Sequence, residues 1–91
     1  MNTAIRLVEK RREPRRPAHG SVVVQVPGPR PGEIQGRLMD VSASGFRMVY
    51  RTGSLEAGQV VEFHYEGASG QARVIWNRID GASVQTGFLI L

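Results

Sequence analysis

Two groups of residues in this 91-residue chain could do chemistry, and both suit an anion or a flat polar ring. The first is the basic stretch Lys10-Arg11-Arg12-Glu13-Pro14-Arg15-Arg16. Arg11 and Arg15 stand four positions apart, as do Arg12 and Arg16. Eleven of the twelve basic residues in the chain are Arg, and only Lys10 is Lys. A guanidinium offers a planar fork of donors that pairs with phosphate, stacks on flat rings and bonds guanine through O6 and N7. The second group is Asp40-Val41-Ser42-Ala43-Ser44-Gly45. Here Asp40 could accept from the N1–H and amino group of a guanine edge. Ser42 could bond the same base or a phosphate, and Gly45 would let the backbone approach closely. Both groups also have a plainer reading. A basic run near a terminus is often a solvated tail. Asp, Ser and Gly between two strands are ordinary turn chemistry, with Gly taking a positive φ.

Charge sharpens the first group. The formal net charge is +4, and all of the excess falls in residues 1–16, where six cations face Glu9 and Glu13. From Pro17 onward, six arginines balance six carboxylates. The chain therefore divides into a cationic arm, residues 1–18, and a neutral body, residues 19–91. Pro14 and Pro17 hold the residues before them extended, so the arm is partly shaped and is not a long helix. Ile5, Leu7 and Val8 supply too little apolar surface for more than a short helix before residue 10.

The body must position these residues, and its pattern is that of strands. Ser21–Val26 is short and β-branched. Pro27–Gly32 carries three prolines and two glycines, which mark an exposed loop. Residues 36–41 and 46–50 read as the next two strands, broken by Ser42–Gly45. In residues 59–66, Val61, Phe63 and Tyr65 face one way while Glu62, His64 and Glu66 face the other. Gly67-Ala68-Ser69-Gly70 reads as a hairpin turn. In residues 71–77, strict alternation puts Ala72, Val74 and Trp76 on one face and Arg73 and Ile75 on the other. Asp80-Gly81 is a turn signal, and residues 84–91 form the last strand. Six short strands joined by Gly-rich turns imply an all-β fold, a small six-stranded antiparallel β-barrel that leaves no open edge. Phe63, Tyr65 and Trp76 are expected in its core, with Trp76 as a stacking platform for a base as the alternative.

Composition bounds the rest. One domain is expected at this length. There are no cysteines, so neither disulfides nor thiolate zinc sites are available. No apolar run is long enough for a membrane span or a secretory signal, and a cytoplasmic protein is expected. His19 and His64 lack neighbours at metal spacing, Ser42 has no evident base, and no Gly-rich phosphate loop precedes a Lys. No catalytic residue, metal or cofactor is expected.

Arg11-Arg12-Glu13-Pro14-Arg15 followed by Asp40-x-Ser42-x-x-Gly45, on a six-strand pattern, resembles the PilZ domain family. Gly70–Trp76 and Thr86-Gly87-Phe88 are similar to that family's last two strands. The resemblance spans residues 9–91 and implies a non-enzymatic bacterial receptor for cyclic di-GMP. It implies that Arg11 and Arg15 grip phosphate and guanine, that Asp40 and Ser42 read the held base, and that Gly45 gives it room. Lys10 occupies the position thought to choose between one ligand and a stacked pair, and Arg12 offers a second register. It further implies a flexible arm that closes over the ligand, and relay to an effector protein. The C-terminal helix common in that family does not follow Leu91. An apolar face at Phe88 and Ile90 is therefore expected, for a partner or a weak homodimer.

Two other readings remain open. A small basic barrel could bind single-stranded nucleic acid, although the neutral body and the 7% aromatic content weigh against it. The same fold could also serve as an interaction module that binds no nucleotide.

Overall fold

A computed structural model of the chain describes residues 14–91, and the expected short helix before residue 10 lies outside them. Seven strands follow one another: β1 (Arg16–Pro17), β2 (Ser21–Val26), β3 (Gly32–Val41), β4 (Gly45–Tyr50), β5 (Val60–Tyr65), β6 (Ala68–Asp80) and β7 (Ser83–Ile90). All pairings are antiparallel. The order β3-β2-β5-β6-β7-β4 closes on itself through β3–β4, and the two-residue β1 adds to the outside of β3. The all-β, six-stranded barrel expected from the sequence is the fold observed, with one short extra strand. Among the described residues there is no helix.

The barrel interior is filled by alternate residues of each strand, as the two-residue period of a pleated strand dictates. Phe46 is the hub and is fully buried. Its ring centre lies 4.9 Å from Phe63, 5.4 Å from Tyr65 and 4.5 Å from Phe88. Val22, Val24, Met48, Val61 and Val74 complete the layer around it. Truncating a buried Phe in such a core costs about 3–5 kcal/mol, because the cavity adds to the lost transfer energy.

Several boundaries differ from the sequence reading. β3 begins at Gly32, because the last residue of the proline-rich segment and those that follow it pair with β2 (Val26↔Gly32, Gln25↔Glu33). The hairpin before β6 turns at Glu66-Gly67, where Gly67 has a φ of 82°. One positive φ suffices to reverse the chain, so Ala68, Ser69 and Gly70 continue as strand and pair with Tyr65, His64 and Phe63. Phe88 and Ile90 point inward, Phe88 being buried against Phe46 and Ile90 packing on the core. The exposed apolar residues of this end are instead Leu89 and Leu91.

A small polar network sits inside. The Thr86 hydroxyl is fully buried, 3.0 Å from the Tyr50 hydroxyl and 2.6 Å from Asn77 Oδ1. Its single proton goes to the carbonyl oxygen of Asn77, so the Tyr50 hydroxyl is the donor in the other bond. Asn77 Nδ2 in turn donates to the Leu55 carbonyl at 2.7 Å, which ties the β4–β5 loop to the β6–β7 hairpin. Thr86→Val keeps the shape but strands Asn77 Oδ1 and the Tyr50 hydroxyl. We expect a loss of about 1–3 kcal/mol in denaturant unfolding, whereas a loss below about 0.5 kcal/mol would mean that the network is dispensable.

Candidate ligand-binding site

The Asp40 side chain is where the two sequence motifs meet, and a β-bulge aims it. On β3, Leu38 pairs with Met48, but the next pair on β4 is Asp40↔Arg47, so Met39 is an extra residue. Without the bulge, Asp40 would share the inward face of Leu38. With it, Asp40 faces the outward-pointing Arg47, and Val41 returns to the core side opposite Phe46. β1 then brings in the arm. Arg16 pairs with Val41, Pro17 with Asp40, and the Ala18 amide donates to the Met39 carbonyl at 3.0 Å.

These two pairings place an arginine on each oxygen of one carboxylate. Arg15 donates from Nε (3.1 Å) and Nη2 (2.9 Å) to Asp40 Oδ1. Arg47 donates from Nε (2.8 Å) and from Nη2 to Oδ2. Asp40 is buried, 7% exposed, whereas the side chains of Arg15 and Arg47 keep 43% and 36% of their surface. The Arg47 hydrogen bonds, and then those of Arg15, hold the Asp40 carboxyl below its ordinary range, against the opposing effect of burial. In return the hydrogen bonds to Asp40 make Arg47 hold its own proton more tightly. Each guanidinium turns its Nε–Nη2 edge toward Asp40.

The two arginines border a groove of about 410 Å³ lined by Arg15, Ser44, Gly45, Arg47, Ile75, Trp76 and the Gly87–Leu89 segment. A second bulge forms its far wall. On β6, Val74 pairs with Phe88 and Trp76 with Gly87, so Ile75 is the extra residue. The bulge turns Trp76 outward, where it is 36% exposed, instead of into the core with Ala72 and Val74. Its indole covers Gly87, where an added Cβ would come within 2.4 Å of Nε1 and Cε2. The floor is equally tight at Gly45, where a Cβ would meet the Phe88 carbonyl oxygen at 2.1 Å. Gly45 is therefore required by the close approach of β7, and not by a positive φ, which it does not have. The Ser42–Gly45 turn is closed by the Ser42 amide and hydroxyl, both donating to the Gly45 carbonyl at 2.8 and 3.4 Å.

Of the residues singled out in the sequence, Arg15, Asp40, Ser42 and Gly45 are gathered at one end of the barrel. Lys10, Arg11 and Arg12 lie outside the described residues. Arg47 and Trp76 complete the groove, and sequence spacing alone had given Arg47 no role. Its signal was its position two residues after Gly45, opposite the Asp. Among the described residues no group of three or more His, Asp or Glu side chains is gathered as a metal site would need.

The lowered Asp40 pKa has a definite sign. A carboxylate held ionised in the folded state stabilises the fold fully above its unfolded pKa, about 3.9, and loses that contribution as pH falls through the lower folded value. The stability gap between the wild type and Asp40→Asn should therefore be constant near neutrality and close below about pH 4. Chemical denaturation across pH 2–7 measures it (a pH range of about this width brackets the transition). A gap that does not depend on pH would contradict the ion-pair geometry.

Comparison with known proteins identifies the fold and the family. The sequence matches the PilZ domain over residues 9–90. Among solved structures it is similar to YcgR from Escherichia coli, determined in complex with c-di-GMP. The TM-score is 0.69 at 19% sequence identity, over 90% of this chain and 38% of that one. The chain thus spans well under half the length of that YcgR chain. No curated protein matches it in sequence. With a match that runs from the basic arm to the end of the last strand, the chain belongs to the PilZ domain family.

Proposed function

We propose that the groove between Arg15, Arg47 and Trp76 binds cyclic di-GMP and that the protein acts as a receptor for it without turning it over. The observation that carries this reading is the pair of guanidiniums fixed on Asp40 beside an outward-facing indole. A cyclic dinucleotide offers the matching chemistry: two phosphates, two guanine edges and flat purine faces. The structural likeness to YcgR, a protein solved with c-di-GMP, supports the same choice.

In this reading Arg15 and Arg47 present their Nη1 groups to phosphate or to guanine O6 and N7, and Trp76 stacks on a purine. Asp40 sets the position of both arginines, since each of its oxygens already accepts from one of them. Lys10, Arg11 and Arg12, within the arm of residues 1–18, close over the ligand from outside the barrel of residues 19–91. Ser42 and Gly45 shape the turn beneath it. No hydrolysis is proposed, because Asp40 is engaged by two cations and Ser42 donates to its own turn. The receptor works in the cytoplasm, as a monomer or weak homodimer, and passes its state to an effector protein.

Calorimetric titration with cyclic di-GMP tests this directly, with cyclic di-AMP and an oligothymidylate as controls. A bidentate Arg–guanine contact is worth ~1–3 kcal/mol, so Arg15→Ala and Arg47→Ala should each weaken binding by about 5- to 150-fold with the fold intact. Asp40→Ala should weaken it as well, by releasing both side chains. Wild-type affinity in all three variants would place the ligand elsewhere. Absence of heat with any cyclic dinucleotide, from a folded sample, would overturn the receptor reading.

A further inference from the structure

The opposite end of β3 and β4 carries a second groove that shares no lining residue with the first. We propose that it docks an extended acidic peptide segment of a partner protein, which adds to the barrel as an extra strand beside β3. Two independent features converge there, one in the backbone and one in charge.

The backbone feature is an unfinished pairing. From Gly32 to Gly36, β3 is bonded to β2 on one side (Val26↔Gly32 through Val22↔Gly36). Its pairing with β4 begins only at Arg37↔Val49. Among the described residues no strand pairs with the other side of Gly32–Gln35, whereas Gly36 already lies against the Val49–Tyr50 end of β4. Beyond Tyr50 the chain leaves the sheet and turns beneath it: Gly53 packs against the Ile34 side chain and Leu55 is buried. That turn packs under the buried Ile34 side chain, and none of the strand pairings among the described residues uses the β3 edge at Gly32–Gln35. A strand edge of this kind presents main-chain donors and acceptors to any extended segment that lies alongside.

Charge selects the segment. Glu33, Gln35 and Arg37 alternate along the outer face of β3, and Arg51 and Thr52 line the facing wall of a groove of about 820 Å³. The Glu33 carboxylate is already satisfied by the side-chain amides of Gln25 (2.9 Å) and Gln35 (3.0 Å). Arg37 and Arg51 have no ion-pair partner among the described residues. Two unpaired guanidiniums beside an open strand edge favour a peptide with carboxylates at that end. Glu33 in the same groove disfavours a continuous polyanion such as nucleic acid, which has no use for the strand edge either.

The probe is the capped peptide Thr-Val-Glu-Val-Glu-Val-Thr, added to the uniformly 15N-labelled full chain and followed by NMR. Saturable shifts are expected at Gly32–Arg37 and Arg51-Thr52, with slowed amide exchange within Gly32–Gln35. Arg15→Ala and Arg47→Ala should leave them unchanged, which separates this groove from the ligand site. Both Arg37 and Arg51 are exposed, so the double variant R37E/R51E should fold and weaken the peptide by at least about tenfold. The proposal is overturned by equal shifts from the peptide with Lys in place of Glu, by shifts confined to other residues, or by none at peptide concentrations of about a millimolar. Stronger displacement of the same signals by an oligothymidylate would assign the groove to nucleic acid instead.

Discussion

A single carboxylate between two guanidiniums organises this end of the molecule. Two arginines brought this close repel one another, and the repulsion is offset only because Asp40 gives each of them a separate oxygen. Asp40 in turn tolerates its burial only because both cations are there. The arrangement is mutual, so it depends on the backbone delivering all three residues at once. β1 delivers Arg15 from the arm, β4 delivers Arg47 from the barrel wall, and the bulge at Met39 turns Asp40 toward both. Both guanidiniums keep over a third of their side-chain surface in solvent, which screens the two pairs and limits what they add to global stability. Their effect here is geometric: they hold two forks in fixed orientation at the mouth of a groove, and under the proposed function that preorganisation would lower the ordering cost of binding.

The opposing wall follows the same construction. A bulge at Ile75 changes the parity of β6, and Trp76 leaves the core to lie over Gly87. Phe88 and Gly45 then fix how near β7 comes to β4, with no room for a side chain between them. The closed barrel behind these walls is held by the Phe46 cluster and by the buried Thr86–Tyr50–Asn77 hydroxyl and amide network. Loops would hold such a site loosely, whereas here every wall residue except Arg15 and Ser44 stands on a strand.

Much of this was legible in the sequence. Alternation in residues 59–66 and the β-branched run of Ser21–Val26 gave strands, and the Gly-rich breaks between them gave an antiparallel closed sheet. Arg15, Asp40, Ser42 and Gly45 were visible as residue types at suggestive spacing. The two bulges were not legible. Strict alternation assigns Trp76 to the face of Val74, and one extra residue reverses that assignment without any local signal such as a glycine or proline. For the same reason the sequence shows Asp40 as an acceptor but not that each of its oxygens accepts from an arginine. Arg47 went unnoticed because its partner is set by strand register, which spacing along the chain does not encode. The expected apolar face at Phe88 and Ile90 failed on parity as well, since both residues complete the core.

The central claim, that Arg15 and Arg47 act together with Trp76 on one ligand, is tested most directly by watching those three side chains during binding. The arginine Nε–H and tryptophan Nε1–H signals can be followed by 15N NMR as cyclic di-GMP is added. The signals of Arg15, Arg47 and Trp76 should move together and saturate at the same ligand concentration. If cyclic di-GMP saturates the protein while these three signals stay where they were, the groove is not its site and the role assigned to the Asp40 pair is wrong.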